Sequence, residues 1–216
     1  MTAIPPDGIL VVYKEEGISS HDVVQRVRWH TRKRRVGHAG TLDLCASGVL
    51  VIGVGREATR TLSQTVGKDK EYLTRIRLGC RSTTDDREGD KQTVCVVKIP
   101  SQKDVMEALG RFVGVIEQRP PAFSALKIAG VPAYKLARAN EPVKLAPRQV
   151  EILEIELLRY DWPFVEVRMV TGPGVYVRAV ARDLGEALGT GAYMHDLERT
   201  RIGPYTKDQA VRLSDL

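Results

Sequence analysis

The sequence predicts an α+β fold built on a mixed, largely antiparallel sheet. Strand-like and helix-like segments follow one another without the regular strand–helix–strand period that a parallel sheet requires. No internal repeat or low-complexity linker interrupts the 216 residues. The hydrophobic fraction of 43% is ample for a folded core. We therefore expect residues 1–216 to form one continuous domain.

The first half of the chain alternates strand and helix signals. Gly8 to Tyr13 is typical of a strand, and Ser19 precedes Asp22 by the three residues of a capping box, which predicts a helix start. Further predicted elements are a strand at 49–54, a helix at 56–64, a strand at 72–78, a polar loop at 80–91, a strand at 93–99 and a helix at 101–112.

The second half begins with a Pro-Pro loop at 120–121. The segments that follow predict a helical turn at 134–138, strands at 150–158 and 164–170 around a turn at 161–163, and a helix at 176–188 that ends at Gly189.

Composition excludes several classes of protein. No run approaches the roughly 18 apolar residues of a membrane helix. The three cysteines are widely spaced and odd in number, which favours reduced thiols, and neither they nor the four scattered histidines show metal-ligand spacing. We expect a cytoplasmic monomer without a metal, a cofactor or a membrane partner.

A glycine motif at the end of the predicted strand 49–54 resembles a dinucleotide site. Gly53-Val-Gly55-Arg-Glu-Ala58 satisfies G-x-G-x-x-A, but such a site also needs an acid at the end of the next strand. The segment 70–78 carries only Glu71, at its start. The glycines are better explained by a tight strand-to-helix turn.

A basic cluster follows the first predicted helix. The six cations, with no acidic residue among them, are Arg26, Arg28, Arg32, Lys33, Arg34 and Arg35. Such a cluster can bind a phosphate backbone. It can equally be a solvated helix end, because cations are favoured at a helix C-terminus. The net charge of +6 does not decide between the two.

The adjoining loop, Gly37 to Gly48, combines three glycines with one carboxylate, Asp43. The glycines predict sharp turns or the close approach of a ligand. An aspartate in a loop usually only caps a turn. Here the neighbouring cations would steer an anionic substrate towards it.

Gly37-His38-x-Gly40-x-Leu42-Asp43, followed by Ala46-x-Gly48, resembles the signature loop of the TruB family of pseudouridine synthases. Further similar segments, in the family's order, are Gly8 to Lys14 with Gly17-x-Ser-Ser, Lys70-x-Tyr72, Gln118-x-Pro-Pro-x-x-Ser-Ala-x-Lys127 with Tyr134-x-x-Ala-Arg138, Gly174-x-Tyr-Val-Arg178 with Asp183-Leu-Gly, and Leu197-x-Arg-Thr200. Leu44 and Glu15 stand where the family usually has proline, which changes loop stiffness and removes no charged group.

The resemblance implies isomerisation of a uridine in the T loop of tRNA, at position 55, from an N-glycoside to a C-glycoside. It implies that Asp43 is the catalytic carboxylate, that Tyr72 stacks on the flipped base and helps to remove the C5 proton, and that Arg178 pairs with Asp43. Residues expected to contact the uridine or nearby RNA are His38, Tyr176, Leu197, Lys14 and Lys127. Residues expected to hold T-arm phosphates are Arg32, Lys33, Arg34 and Arg35.

Many bacterial members of that family continue into a small C-terminal RNA-binding domain. We expect residues 1–216 to be a single catalytic domain without that module, so that an accessory RNA-binding module could replace it. In archaeal and eukaryotic relatives the same core works within a guide-RNA particle.

Two other functions remain open from the residues. A non-catalytic RNA-binding or RNA-chaperone protein would need the basic surface but not Asp43, Tyr72 and Arg178 together. A nucleoside or glycoside hydrolase commonly uses two carboxylates, and this loop has one.

Overall fold

The structure is a computed structural model that describes residues 7–139 and 141–215. Its five helices are α1 (Ser20–Thr31), α2 (Arg56–Val66), α3 (Gln102–Gly110), α4 (Ala133–Arg138) and α5 (Val177–Ala187). Two short 3-10 helices cover Lys207–Gln209 and Leu213–Asp215.

The strands in the first part of the chain are β1 (Gly8–Lys14), β2 (Val36–Ala39), β3 (Ala46–Val54), β4 (Lys70–Leu78), β5 (Cys80–Ser82), β6 (Lys91–Thr93) and β7 (Gly114–Gln118). The later strands are β8 (Lys127–Ile128), β9 (Val131–Pro132), β10 (Arg148–Asp161), β11 (Phe164–Thr171), β12 (Ala192–Ile202), β13 (Tyr205–Thr206) and β14 (Val211–Arg212).

Ten strands form one mixed sheet in the order β14-β1-β3-β12-β4-β11-β10-β7, with β2 paired to β3 and β13 to β12. β1 pairs with β14, and β3 with β12, in parallel. The pairings of β1 with β3, β2 with β3, β12 with β13 and β10 with β7 are antiparallel. The predicted α+β class with a mixed sheet is confirmed.

The chain divides into two compact units. The first unit contains Met1–Leu73, Val170–Pro173 and Leu197–Leu216, and the second contains Thr74–Met169 and Gly174–Asp196.

β3 lies at the centre of the first unit and is buried on both faces. Leu50 and Ile52 pack into the apolar cluster that includes α1, whereas Val49 and Val51 pack into the cluster that includes Leu62 of α2. Burial on both faces explains why this strand is an uninterrupted apolar run rather than an alternating one.

The second unit contains the antiparallel pair β7–β10, on which α3 packs, and α5, which contacts α3. β5–β6 and β8–β9 are short two-stranded hairpins. Within the described part of the chain, no helix is long and apolar enough to span a membrane.

The predicted helix starts are confirmed at two capping boxes. Ser19 and Asp22 exchange side-chain-to-backbone hydrogen bonds at the start of α1, and Ser101 and Asp104 do the same at α3.

Three predicted segments are wrong. The predicted strand at 93–99 ends at Thr93, because residues beyond it find no partner strand, and Val97 is 99% exposed. The predicted loops at 37–48 and 80–91 contain strand residues of β2, β3, β5 and β6. β7 was not predicted, since its apolar residues alternate for only five positions on an exposed strand.

Candidate active site

Asp43 lies on the loop between β2 and β3, and both of its neighbours are fastened. The Ser20 hydroxyl at the start of α1 accepts a hydrogen bond from the Leu42 amide (2.9 Å) and donates one to the Leu42 carbonyl (3.2 Å). The Leu44 carbonyl accepts a hydrogen bond from the Gly17 amide at 2.9 Å. The carboxylate is half-buried, so the loop holds it in place without covering it.

Arg199 of β12 supplies a buried guanidinium to this loop, with only 1% of the residue exposed. Its Nε donates to the Val49 carbonyl and its NH2 to the Gly40 carbonyl, both at 2.9 Å. Gly48 has φ +113°, and a Cβ there would lie 2.2 Å from the Arg199 carbonyl oxygen. The glycines of the loop were predicted to permit sharp turns or a close approach, and Gly48 permits the approach of β12.

Tyr72 of β4 joins the same group of side chains. It is 6% exposed, and its hydroxyl interacts with the Arg199 guanidinium. Burial raises the pKa of Tyr72, and Arg199 opposes that rise, whereas the negative charge of Asp43 adds to it. Burial also lowers the pKa of Arg199, while Tyr72 and Asp43 raise it. The carboxylate, the phenol and the guanidinium are therefore electrostatically coupled.

Two buried lysines add positive charge near the loop. Lys14 is fully buried and donates to the carbonyls of Glu15 and Ile18 at 3.0 and 2.8 Å. Lys70 is 7% exposed and donates to the carbonyl of Val66, at the end of α2, and to that of Lys68. Burial lowers the pKa of each lysine to about 8, and Asp43 partly opposes this for Lys14.

Leu197 and His38 flank the same loop. Leu197 is buried and pairs with Ala46 in the parallel register of β12 with β3. His38 lies on β2, and its buried Nδ1 has no hydrogen-bond partner within the described residues. Burial lowers the pKa of His38, and the charges of Arg199 and His21 lower it further.

The basic cluster is only partly available for a ligand. Arg28 donates to the Val36 carbonyl at 2.9 Å, and Lys33 pairs with Asp7 at 3.0 Å. Cluster members that are exposed and make no ion pair within residues 7–139 and 141–215 are Arg26, Arg32, Arg34 and Arg35.

Arg178 of α5 belongs to the second unit, where it is buried against Asp86. Its NH1 lies 3.4 Å from Asp86 Oδ2, and it donates to the carbonyls of Thr84 and Phe123 at 3.2 and 3.1 Å. One helical turn further on, Arg182 contacts Asp85 at 2.9 Å. The predicted pairing of Arg178 with Asp43 concerns residues of different units and stays a prediction.

Tyr176 and Lys127 also lie in the second unit. The backbone of Tyr176, at the start of α5, exchanges two hydrogen bonds with the Gln118 side chain, at 2.8 and 3.1 Å. Lys127 is exposed on the β8–β9 hairpin. Their expected contacts with RNA stay predictions.

The sequence left three buried ionic groups without a role: Lys70, Arg199 and Asp86. Lys70 and Arg199 belong to motifs that resemble those of the TruB family. Their position near the Asp43 loop, however, depends on how the strands pair. Asp86 lies in a segment that was predicted to be a polar loop. The sequence around it did not predict that only 3% of the residue would be exposed.

Solved structures share this fold. A structure of an H/ACA RNP bound to a substrate RNA containing 2'-deoxyuridine superimposes with a TM-score of 0.72 at 27% identity over 98% of this chain. A Cbf5-Nop10-Gar1 complex gives a TM-score of 0.73 at 30% identity, also over 98% of this chain. The chain spans about half the length of the matched chains in these structures, 52% and 54%.

Sequence similarity defines the family. Residues 28–177 match the TruB family pseudouridylate synthase N-terminal domain, and residues 178–216 match the tRNA pseudouridylate synthase B C-terminal domain. The chain is 44% identical to a tRNA pseudouridine synthase B of Thermobifida fusca, over 97% of this chain and 74% of that protein. It is 45% identical to one of Nocardia farcinica, over 98% of this chain and 70% of that protein. The chain belongs to the TruB family of pseudouridylate synthases.

Proposed function

We propose that this chain converts a uridine in the T loop of tRNA, at position 55, into pseudouridine, with Asp43 as the catalytic carboxylate. Membership of the TruB family supports the reaction, and relatives with 44% and 45% identity are tRNA pseudouridine synthases by name. The observation that carries the assignment is the position of Asp43. Its side chain is half-buried on a loop fastened on both sides, and it is electrostatically coupled to Tyr72 and Arg199.

The reaction requires a uridine that has left its stack, because a stacked base hides the glycosidic bond. Breaking the C1′–N1 bond develops positive charge on the ribose, which a facing carboxylate stabilises. The detached uracil then turns and bonds through C5, which loses a proton while N1 gains one. The overall step is an isomerisation and needs no co-reactant.

Tyr72 is suited to the proton transfer from C5. Its ring can stack on the uracil, and its hydroxyl is held by Arg199. Burial raises the pKa of Tyr72, and the Arg199 guanidinium opposes that rise, so the phenolate is less costly to form there than it would be without Arg199. Arg199 is thus a positioning residue for Tyr72, since two backbone carbonyls fix its own orientation.

The remaining residues would hold the substrate. Leu197 would line the apolar side of the uridine pocket, and His38 on β2 would contact the RNA beside it. Tyr176 and Lys127 would contact nearby nucleotides. Arg178 would pair with Asp43 and keep it ionised and aimed.

Phosphates of the T arm would be held by the basic cluster. Of the residues assigned to this role, Arg32, Arg34 and Arg35 are exposed, and Lys33 would have to exchange Asp7 for a phosphate. Lys14 is fully buried, so it would act on the substrate through its charge.

The test uses an unmodified tRNA transcript incubated with the purified chain, followed by carbodiimide adduct formation and primer extension. We expect a new stop at the T-loop uridine with the wild-type chain and none with Asp43→Asn, although Asp43→Asn still binds the transcript. Asp104→Asn is the matched control, because it removes an exposed capping carboxylate of α3 in the second unit.

Each departure has a defined meaning. A stop that persists with Asp43→Asn would remove Asp43 from the mechanism. Release of free uracil would identify a hydrolase. Binding of tRNA without a stop would favour the non-catalytic RNA-binding function.

A further inference from the structure

Trp29 on α1 is a large aromatic side chain without a place in the core. It is 78% exposed, although the inward face of the same helix is buried through Val23, Val24 and Val27. Its described ring contact is with His30, with centroids 4.8 Å apart and ring planes at 88°. A T-shaped pair uses one face of one ring, so His30 leaves at least one face of the indole open.

Cations flank this indole on the exposed surface of α1. Arg26 lies three residues before Trp29, on the same side of the helix, and Arg32 caps the helix three residues after it. Both are exposed, and neither makes an ion pair within the described ranges. We call Arg26, Trp29, His30 and Arg32 the Trp29 surface. An aromatic side chain with no binding role would gain no stability from being exposed to solvent in this way.

An open aromatic face between exposed cations fits a nucleic acid. Cations hold the phosphates, and the ring stacks on a base regardless of its identity. A negatively charged protein would satisfy the arginines, but it would not need an aromatic ring between them. The Trp29 surface also connects to the Asp43 loop, because Ser20 at the start of α1 is hydrogen-bonded to Leu42.

The geometry of α1 gives the distance between Trp29 and the end of the helix that contacts the Asp43 loop. Trp29 is nine residues beyond Ser20, which is about 14 Å along the helix axis. At about 3.4 Å per base, this corresponds to about four stacked nucleotides. A base on Trp29 is therefore a different nucleotide from the one at Asp43.

We propose that Trp29 stacks on an unpaired base of the bound RNA, about four nucleotides from the reacting uridine, while Arg26 and Arg32 hold its flanking phosphates. The proposal rests on the proposed function for the identity of the RNA, and it adds a second place at which the chain binds its substrate.

Binding of an unmodified tRNA transcript provides the first test, in an Asp43→Asn background so that no turnover occurs. Trp29→Leu should raise Kd about fivefold or more, since loss of one base stack has effects of that order. Because no phosphate contact is lost, the dependence of log Kd on log salt should keep its slope. Arg26→Gln with Arg32→Gln should instead reduce that slope. Val97→Ser, which alters a residue 99% exposed in the second unit, should leave Kd unchanged.

Fluorescence provides the second test, because the chain has only two tryptophans. In a Trp162→Phe variant the emission comes from Trp29, and the transcript should quench it. In a Trp29→Phe variant the emission comes from Trp162, and we expect no comparable quenching. A short oligouridylate should quench Trp29 more than an abasic strand of equal length.

The proposal is wrong if Trp29→Leu binds the transcript within twofold of its parent, or if the abasic strand quenches Trp29 as strongly as the oligouridylate. These measurements concern binding alone. Failure of the proposed function would appear separately, as a wild-type chain that binds tRNA and forms no pseudouridine.

Discussion

Lys14 and Lys70 in the first unit donate to backbone carbonyls, whereas Arg178 and Arg182 in the second unit face carboxylates. All four are largely or fully withdrawn from solvent. A carbonyl accepts a hydrogen bond from a cationic N–H group but leaves its charge uncancelled. A carboxylate accepts the hydrogen bond and also cancels the charge.

The difference has a functional meaning. In the first unit the positive charge persists around Asp43, and the cost of burying it lowers the pKa of both lysines to about 8. Such a site favours an anionic substrate. In the second unit the charges cancel, which makes the Arg178–Asp86 and Arg182–Asp85 pairs anchors for α5.

The largest expected effect is a loss of stability from a change in the second unit. Asp86→Asn would remove the carboxylate from a pair whose side chains are 6% and 4% exposed. Removing one partner of a buried pair costs about 3–5 kcal/mol of unfolding free energy. Urea unfolding monitored by circular dichroism measures this loss.

The matched control is Glu154→Gln, which weakens the more exposed ion pair of Arg168 with Glu154 in the same unit. It should change the unfolding free energy by less than about 1 kcal/mol. Combining Asp86→Asn with Arg178→Met should recover part of the loss, because the buried charge is then removed as well. An Asp86→Asn variant as stable as the wild type would show that the carboxylate does not anchor α5.

The second effect concerns catalysis in the first unit. Arg199→Lys keeps a positive charge but loses the planar fork that reaches Val49, Gly40 and Tyr72. We expect kcat for pseudouridine formation to fall about 100-fold, as for a catalytic group displaced by about 1 Å. Single-turnover kinetics at saturating tRNA measure it.

A merely structural role for Arg199 would lower stability without moving the pH profile. Because the charge of Arg199 opposes the rise in the pKa of Tyr72, Arg199→Met should move the rising limb of activity to higher pH. If Arg199→Met retains the wild-type pH profile, Arg199 does not act on Tyr72.

The smallest effect is a pH dependence of stability. The folded-state pKa of Lys14 and of Lys70 is about 8, below the value of 10.5 for an unperturbed lysine. Between about pH 8 and 10 the unfolded chain binds more protons than the folded one, so the unfolding free energy should rise with pH. Lys14→Met should flatten this rise, measured by urea unfolding across that range.

Lys144→Met, at an exposed lysine of the second unit, is the control and should leave the slope unchanged. An equal slope in Lys14→Met and the wild type would contradict the assignment of the rise to Lys14.

Local patterns predicted much of the fold. Capping residues and apolar periodicity located α1 and α3, and the apolar run of β3 was identified because burial on both faces leaves a simple signal. The segment 93–99 looks equally apolar, yet pairing decides its state, and no described strand pairs with it beyond Thr93. β2 and β7 are themselves too short to carry a clear pattern, and their pairing with β3 and β10 stabilises them as strands.

The site shows the same division. The motifs predicted Asp43 and Tyr72 as site residues, and the structure places both in the first unit, where each is electrostatically coupled to Arg199. The contribution of Arg199 could not be derived from spacing, since its hydrogen bonds to Val49 and Gly40 span 150 and 159 residues. The ionic partner of Arg178 within its own unit, Asp86, is 92 residues away.

Because β12 lies late in the sequence, the group of side chains around Asp43 can assemble only late in translation. The Asp43 loop leaves the ribosome early, but the strand that completes it is made about 150 residues later, which takes roughly 8 to 30 s at bacterial or eukaryotic synthesis rates. Until then the nascent chain can expose the positive surface of α1 without a finished catalytic centre. Maturation of the site therefore waits for the synthesis of β12, and a product that stopped before β12 would keep the positive surface of α1 without Arg199.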